Sequence, residues 1–306
     1  MTVLLLQKAF DMKILICGGD GQLGSDCVQV LQETHEVFAL TLNELDITSS
    51  SDVDKVIGKY VPDIILNCAA YTAVDACETE REPAWKVNVE GPKNLASWVT
   101  KYSGLLIHIS SDYVFDGRKK PPEPYVEDDE PNPLSYYGRT KLEGEVAVMQ
   151  TTDQYIILRP AWLYGIHGRN FLKTILKIAL GNPDKKLKVV NDQFGSPTWS
   201  YRLALQIAEL IEKNGRGTYH ATAEGHCTWY ELADHFLGKM GVPHSLIPCT
   251  SEEYPTPAIR PGNSILENKR LKKADINVMK DWSHDVDQFV SDFQEQLLNE
   301  AMKTRP

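Results

Sequence analysis

Short, uninterrupted apolar runs alternate along the chain with longer stretches whose apolar positions recur every three to four residues. Lys13–Cys17 (KILIC), Glu36–Leu40, Asp63–Asn67 (DIILN), Leu105–Ser110 (LLIHIS) and Tyr155–Arg159 (YIILR) have strand length and strand composition. Helical patterns lie between them, over Leu23–Gln32, Ser50–Tyr60, Pro83–Tyr102 and Leu134–Met149, the second with Ser49–Ser51 as candidate caps. A strand that is apolar at successive positions must be covered on both faces. The alternation therefore predicts an α/β fold, a doubly wound parallel sheet between two helical layers.

Past Arg159 the pattern loosens. A helix is expected over Phe171–Leu180, stopped by Gly181-Asn182-Pro183, then a strand over Leu187–Val190, a helix over Tyr201–Lys213 and a strand over Thr218–Ala221. Further helices follow, then a stretch with Pro255, Pro257 and Pro261, and a last helix around Val286–Leu298. The chain is expected to pass twice between a sheet domain (residues 12–165 and 188–222) and a smaller C-terminal lobe (166–187 and 223–306) that would bind substrate. Met12-Lys13-Ile14 reads as a natural start, which leaves residues 1–11 as an N-terminal extension.

Composition narrows the class. Of 306 residues, 42% are hydrophobic and 24% charged, which suits a globular chain with a sizeable core. The net charge of −10 disfavours nucleic acids and anionic membranes, so an anionic ligand needs a local cation or backbone N–H groups. No apolar run approaches the ~20 residues of a membrane span, and Val3–Leu6 is too short for a signal core. The six cysteines (Cys17, Cys27, Cys68, Cys77, Cys227, Cys249) show no CxxC pair or metal-ligand spacing, as expected for free thiols in a cytoplasmic protein.

Two motifs carry chemistry. Gly18-Gly19-Asp20-Gly21-Gln22-Leu23-Gly24 sits between the first strand and the first helix. Glycines there allow a tight turn and close approach to a pyrophosphate, and the helix start offers free N–H groups. This is the Rossmann-type context for a nicotinamide dinucleotide. The end of the second strand reads Leu40-Thr41-Leu42-Asn43, with no acid to hold a ribose 2′-hydroxyl and no cation to grip a 2′-phosphate. The reading leans to NADPH, with NADH possible. The second motif is Tyr137-Gly138-Arg139-Thr140-Lys141, with Ser111 after the fourth strand. Tyr and Lys at i and i+4 share a helix face, so the ammonium is expected to lower the phenol pKa, and the Ser111 hydroxyl can bond the same substrate oxygen. Tyr136 lacks a lysine four residues on.

With these motifs the chain resembles the extended short-chain dehydrogenases/reductases and, more narrowly, the dTDP-4-dehydrorhamnose reductases. The strings that carry the likeness are GGDGQLG, LNCAAYTAVDACE, NVEGPKNLA, SSDYVFDG, YYGRTKLEGE, RPAWLYG, GRNF, DQFGSPT, GTYH and RPGNSIL, spread over nearly the whole chain from Met12. The resemblance implies reduction of the C4 ketone of a dTDP-sugar, the last step of dTDP-rhamnose synthesis for cell-surface polysaccharide. It would place Gly21, Gln22 and Leu23 along the pyrophosphate, Asp46 and Ile47 around adenine, and Ala70, Tyr71 and Thr72 near the ribose. Tyr137 would be the proton donor, Lys141 the ribose and phenol partner, and Ser111 and Asp112 would meet the sugar at its carbonyl. Trp162 would pack on the sugar ring and Arg260 would meet a phosphate. Some relatives bind Mg2+ through carboxylates at a dimer contact; Mg2+ stays open here, with no ligands assigned, and the chain is expected to be a monomer or homodimer. Asp112 is followed by Tyr113, not by the glutamate of sugar-nucleotide dehydratases. An epimerase remains open, as does a regulatory role like that of the methionine adenosyltransferase accessory subunit, which keeps the Tyr-Lys pair.

Overall fold

The structure, a computed structural model, describes residues 12–181 and 186–303. The expected extension 1–11 and the Asn182-Pro183 helix stop lie outside the described residues. In the first half the elements are β1 (Lys13–Cys17), α1 (Gln22–Leu31), β2 (Glu36–Leu40), α2 (Ser50–Tyr60), β3 (Ile64–Asn67), α3 (Arg81–Trp85), α4 (Gly91–Tyr102), β4 (Leu105–Ile109), α5 (Tyr136–Thr151) and β5 (Tyr155–Arg159). The second half holds β6 (Leu163–Tyr164), α6 (Phe171–Gly181), β7 (Leu187–Val190), β8 (Phe194–Gly195), β9 (Thr198–Trp199), α7 (Ser200–Glu212) and β10 (Gly217–His220). It continues with β11 (Cys227–Thr228), α8 (Trp229–Lys239), β12 (Leu246–Cys249), β13 (Asn263–Ser264), α9 (Lys269–Lys273) and α10 (Trp282–Lys303).

Six strands form one parallel sheet in the order β10-β5-β4-β3-β1-β2. Successive side chains leave a strand on opposite faces, and the four inner strands, β5, β4, β3 and β1, are apolar on both. Ile14, Ile16, Ile64, Leu66, Ile107, Ile156 and Leu158 point to one face, where Leu23, Cys27 and Leu31 of α1 and Leu203, Ile207 and Leu210 of α7 cover them. Leu15, Cys17, Ile65, Leu106 and Ile157 point to the other, under Val53 and Ile57 of α2 and Leu95, Trp98 and Val99 of α4. The i, i+4 spacing within α1 and α2 is what lets one stripe of each helix face the sheet. Ser49 caps α2, its hydroxyl accepting from the Asp52 N–H at 3.2 Å.

A separate core joins α6, α8 and α10 through Leu172, Leu176, Leu232, Phe236, Phe289 and Leu297. Its last helix runs longer than the expected 286–298. No helix among the described residues is long and apolar enough to cross a membrane.

The chain runs outward from β1 to β2 and then crosses back to β3 on the far side of β1. The order reverses there, and in an open parallel sheet a ligand crevice is expected beyond the C-terminal ends of the two strands, β1 and β3. Ligands gather at such a switch point. The largest departure from expectation among the helices comes after β3. Pro83–Tyr102 is not a continuous α-helix, because Lys86–Glu90 forms a π turn between α3 and α4. The extra residue in that turn swings Asn88 inward, and such turns concentrate at functional sites.

A buried ion pair ties α5 to the sheet. Arg159, at the end of β5, makes two bonds to Glu145, Nε–Oε1 at 2.9 Å and Nη2–Oε2 at 2.6 Å, and the Ser110 hydroxyl also donates to Glu145. Removing one partner leaves the other charge unpaired in the interior. Glu145→Gln is expected to lower unfolding free energy by about 3–5 kcal/mol in urea denaturation; a loss under about 1 kcal/mol would show that the pair is dispensable.

Candidate active site

The glycine turn is built for close backbone approach. Gly18 has φ +73°, in the left-handed region, and the Gly18 and Gly19 N–H groups donate to the Leu40 carbonyl at 2.8 and 3.0 Å. A Cβ on Gly19 would stand 2.6 Å from Ala39 Cβ, and one on Gly24 would collide with the Gly18 carbonyl oxygen. α1 starts at Gly21 without a side-chain cap, so the first-turn N–H groups of Gln22, Leu23 and Gly24 are open to an anion. The Leu23 side chain is buried in the sheet core, so that residue offers its backbone only. The Gln22 side chain accepts from Asn170 Nδ2 at 2.9 Å, tying the loop before α6 to the turn. This cradle fits a dinucleotide pyrophosphate.

At the tip of β2 the fold supplies an acid that the strand lacks. Glu44 turns back so that its Oε2 accepts from the Thr41 N–H and the Thr41 hydroxyl, both at 2.9 Å. These donors hold the Glu44 carboxyl below its ordinary pKa, so it is ionised at neutral pH. The expectation that this tip carries no acid is corrected: the carboxylate comes from three residues further on. Asp46 and Ile47 follow in the same segment. The Asp46 carboxylate caps the turn at Thr48, accepting from its N–H at 2.9 Å, while the Ile47 side chain is buried and faces Gly91.

Ala70, Tyr71 and Thr72 follow β3, and Asn88 clamps the backbone of Tyr71. Its Oδ1 accepts from the Tyr71 N–H at 2.8 Å, and its Nδ2 donates to the Tyr71 carbonyl at 3.1 Å and to Thr140 Oγ1 at 3.0 Å. Asn88 thus locks the segment after β3 to α5. Sequence reasoning passed over it, although it opens the NVEGPKNLA string.

Tyr137, Lys141, Ser111 and Asp112 come together where α5 starts and β4 ends. Ser135 caps α5, accepting from the Gly138 N–H at 3.1 Å. The Lys141 side chain is buried, and Nζ donates to the Ile109 carbonyl at 2.7 Å. Burial pulls its pKa down to about 8, against the opposing pull of Glu145. The Tyr137 ring meets Tyr113 edge-on at 5.4 Å, beside Ser111. Burial, and then the nearby Asp112 charge, push its phenol above the ordinary value. The ammonium donates to Ile109 and desolvation dominates at Tyr137, so the net push on the phenol is upward, against the depression expected from Lys141. The Ser111 hydroxyl donates to Asp112 Oδ1 at 2.8 Å and accepts from the Tyr113 N–H at 3.1 Å. Asp112 is buried, which raises its pKa to about 6, and its Oδ2 has no hydrogen-bond partner among the described residues.

Trp162 and Arg260 each have partners within the chain. Trp162 takes φ +46°, and its indole stacks on Trp229 at 3.6 Å and packs against Gly195. Arg260 is bound by Asp75 through two bonds, at 3.1 and 3.0 Å, and the Ala258 N–H donates to the same carboxylate at 3.1 Å. The Arg260 pair holds the Asp75 carboxyl below its usual range. Arg260 also borders a cavity of about 540 Å3 lined by Phe171, Ile175, Lys188, Gln193 and Trp229. Among the described residues no group of three or more His, Cys, Asp or Glu side chains lies together to hold a metal.

Comparison with known proteins agrees with this arrangement. Residues 12–295 match the model of the RmlD substrate binding domain. The dTDP-4-dehydrorhamnose reductase of Burkholderia thailandensis is 35% identical over 302 residues, which covers 93% of this chain and 100% of that one. A crystal structure of a dTDP-4-dehydrorhamnose reductase from Clostridium acetobutylicum is 42% identical, with a TM-score of 0.88 over 92% of this chain and all of that one. The dTDP-4-dehydrorhamnose reductase of Bacillus anthracis, solved in complex with NADP, is 36% identical with a TM-score of 0.88, covering 92% of this chain and 99% of that one. With the family model matched over residues 12–295 and the fold in common, the chain belongs to the RmlD substrate binding domain family.

Proposed function

We propose that this protein is an oxidoreductase that reduces the C4 ketone of dTDP-4-dehydro-6-deoxy-L-mannose to dTDP-L-rhamnose, with NADPH or NADH as hydride donor. The observation that carries this reading is the meeting of Tyr137, Lys141 and Ser111 at the C-terminal edge of the sheet, next to a glycine turn shaped for a dinucleotide. Relatives named for this reaction, one of them solved with NADP, support it.

The residue roles follow from their surroundings. When bound, the dinucleotide supplies the hydride that reduces the ketone carbon. Tyr137 gives its phenolic proton to the ketone oxygen as negative charge builds there. Burial suits this role, because it keeps the phenol protonated until the alkoxide, a far stronger base, takes the proton. The Ser111 hydroxyl, now resting on Asp112, turns to the same oxygen and stabilises its charge. The Lys141 ammonium stabilises the phenolate left on Tyr137 and is placed to hold ribose hydroxyls. In the second lobe, Arg260 and Lys188 carry the positive charge that a nucleoside diphosphate requires, each now paired with a carboxylate, Asp75 and Glu253.

Tyr137→Phe is expected to lower kcat about 10²–10⁴-fold while leaving the NADPH dissociation constant within about twofold, as read by nucleotide fluorescence and steady-state turnover. Near-normal turnover would refute the assignment. Dinucleotide binding by the unaltered chain without turnover of the dTDP-sugar would favour a regulatory role.

The pH profile gives a second test. Burial lowers the Lys141 pKa, so the ammonium is present below about pH 8 and lost above it. The kcat/KM for the dinucleotide is expected to fall through that value, and Lys141→Arg, whose cation does not titrate there, should carry the fall beyond about pH 10 even if its rate is lower. A flat profile between about pH 7 and 9 in the unaltered protein would contradict this.

A further inference from the structure

The Rossmann pattern places a carboxylate at the end of the second strand when the cofactor carries a ribose 2′-hydroxyl, and a cation when it carries a 2′-phosphate. The strand in this chain ends Leu40-Thr41, with neither group in line, and Leu40 to Leu45 contains no Lys or Arg. The vacancy is filled from outside the strand. Glu44 folds back on Thr41 and engages both of its donors, the backbone N–H and the hydroxyl, through one oxygen, Oε2. The turn is fixed from the other side as well, since the Glu44 and Leu45 N–H groups donate to the Thr41 carbonyl at 3.1 and 3.0 Å. This tip lies against the cofactor turn, because the carbonyl of the preceding Leu40 accepts from both Gly18 and Gly19. Glu44 is exposed, so it reaches the space over the tip without desolvation cost.

We infer that Glu44 reads the 2′ position of the adenosine ribose, favouring a hydroxyl over a phosphate. This rests on the reading of the glycine turn as a nicotinamide dinucleotide site. Oε1, free of Thr41, is available to accept from a 2′-hydroxyl. A 2′-phosphate would meet the carboxylate charge at close range, and it would find the donors that could bind it, the Thr41 N–H and hydroxyl, already taken. NADPH can enter only with Glu44 displaced and with no cation of this segment to replace it, so the leaning toward NADPH drawn from the bare strand sequence weakens once the turn is folded.

The test is the ratio of NADPH to NADH affinity, measured by titration of reduced-nicotinamide fluorescence on the full chain at fixed ionic strength. It compares the unaltered protein with Glu44→Gln, which keeps the shape and loses the charge, and with Glu44→Ala. The unaltered protein is expected to bind NADH at least as tightly as NADPH, and both variants should move the ratio toward NADPH by about tenfold or more. An unchanged ratio, including equal weakening of both dinucleotides, would overturn the role of Glu44 while leaving the cofactor site intact. Failure of the unaltered chain to bind either dinucleotide would overturn the reductase reading and this inference together.

Discussion

Lys141 puts a positive charge where almost no water reaches it, and much of the surrounding structure answers to that constraint. An ammonium in the interior must find acceptors or give up its proton. Here it has the Ile109 carbonyl at the end of β4 and the field of Glu145 one turn along its own helix. Glu145 is itself buried and must be held, which Arg159 and Ser110 do from the ends of β5 and β4. The same charge helps keep His108, buried on β4, in its neutral form. One helix is thereby fixed in rotation and height against the sheet edge, and Tyr137, one turn earlier on that helix, is delivered to the crevice beside Ser111.

The phenol and the ammonium then divide the work by environment. Burial raises the pKa of Tyr137 and lowers that of Lys141, so each is pushed toward its uncharged form. For a reduction this division is productive: the acid must hold its proton until the ketone oxygen becomes strongly basic, and the neighbouring cation must still be charged near neutral pH to receive the phenolate. Asn88 adds the second register. By holding Tyr71 and Thr140 at once, it fixes the segment after β3 against α5, from within the π turn at Lys86–Glu90.

The strands were legible because residues such as Ile14, Leu15, Ile16 and Cys17 are apolar at every step, a pattern that only a two-sided sheet buries. Tyr137, Lys141 and Ser111 were legible because a spacing of four and a strand end are local features. Asn88 was not, since its partners lie 17 and 52 positions away and the π turn that aims it breaks the helical period. Glu44 was hidden by a turn that reverses within three residues. The partner of Arg260 was not legible, because nothing local announces Asp75, 185 residues earlier. Trp162 likewise finds Trp229 and Gly195 only through tertiary packing.

The central claim is that the crevice at this sheet edge delivers a hydride to the C4 carbon of a dTDP-4-dehydro-sugar. It is tested most directly by turnover with dinucleotide deuterated at the nicotinamide C4, on each face in turn, followed by NMR of the sugar product. The account predicts deuterium at the sugar C4 from one face of the nicotinamide and none from the other. Deuterium at any other sugar carbon, or loss of the C4 ketone without deuterium from either face, would contradict it.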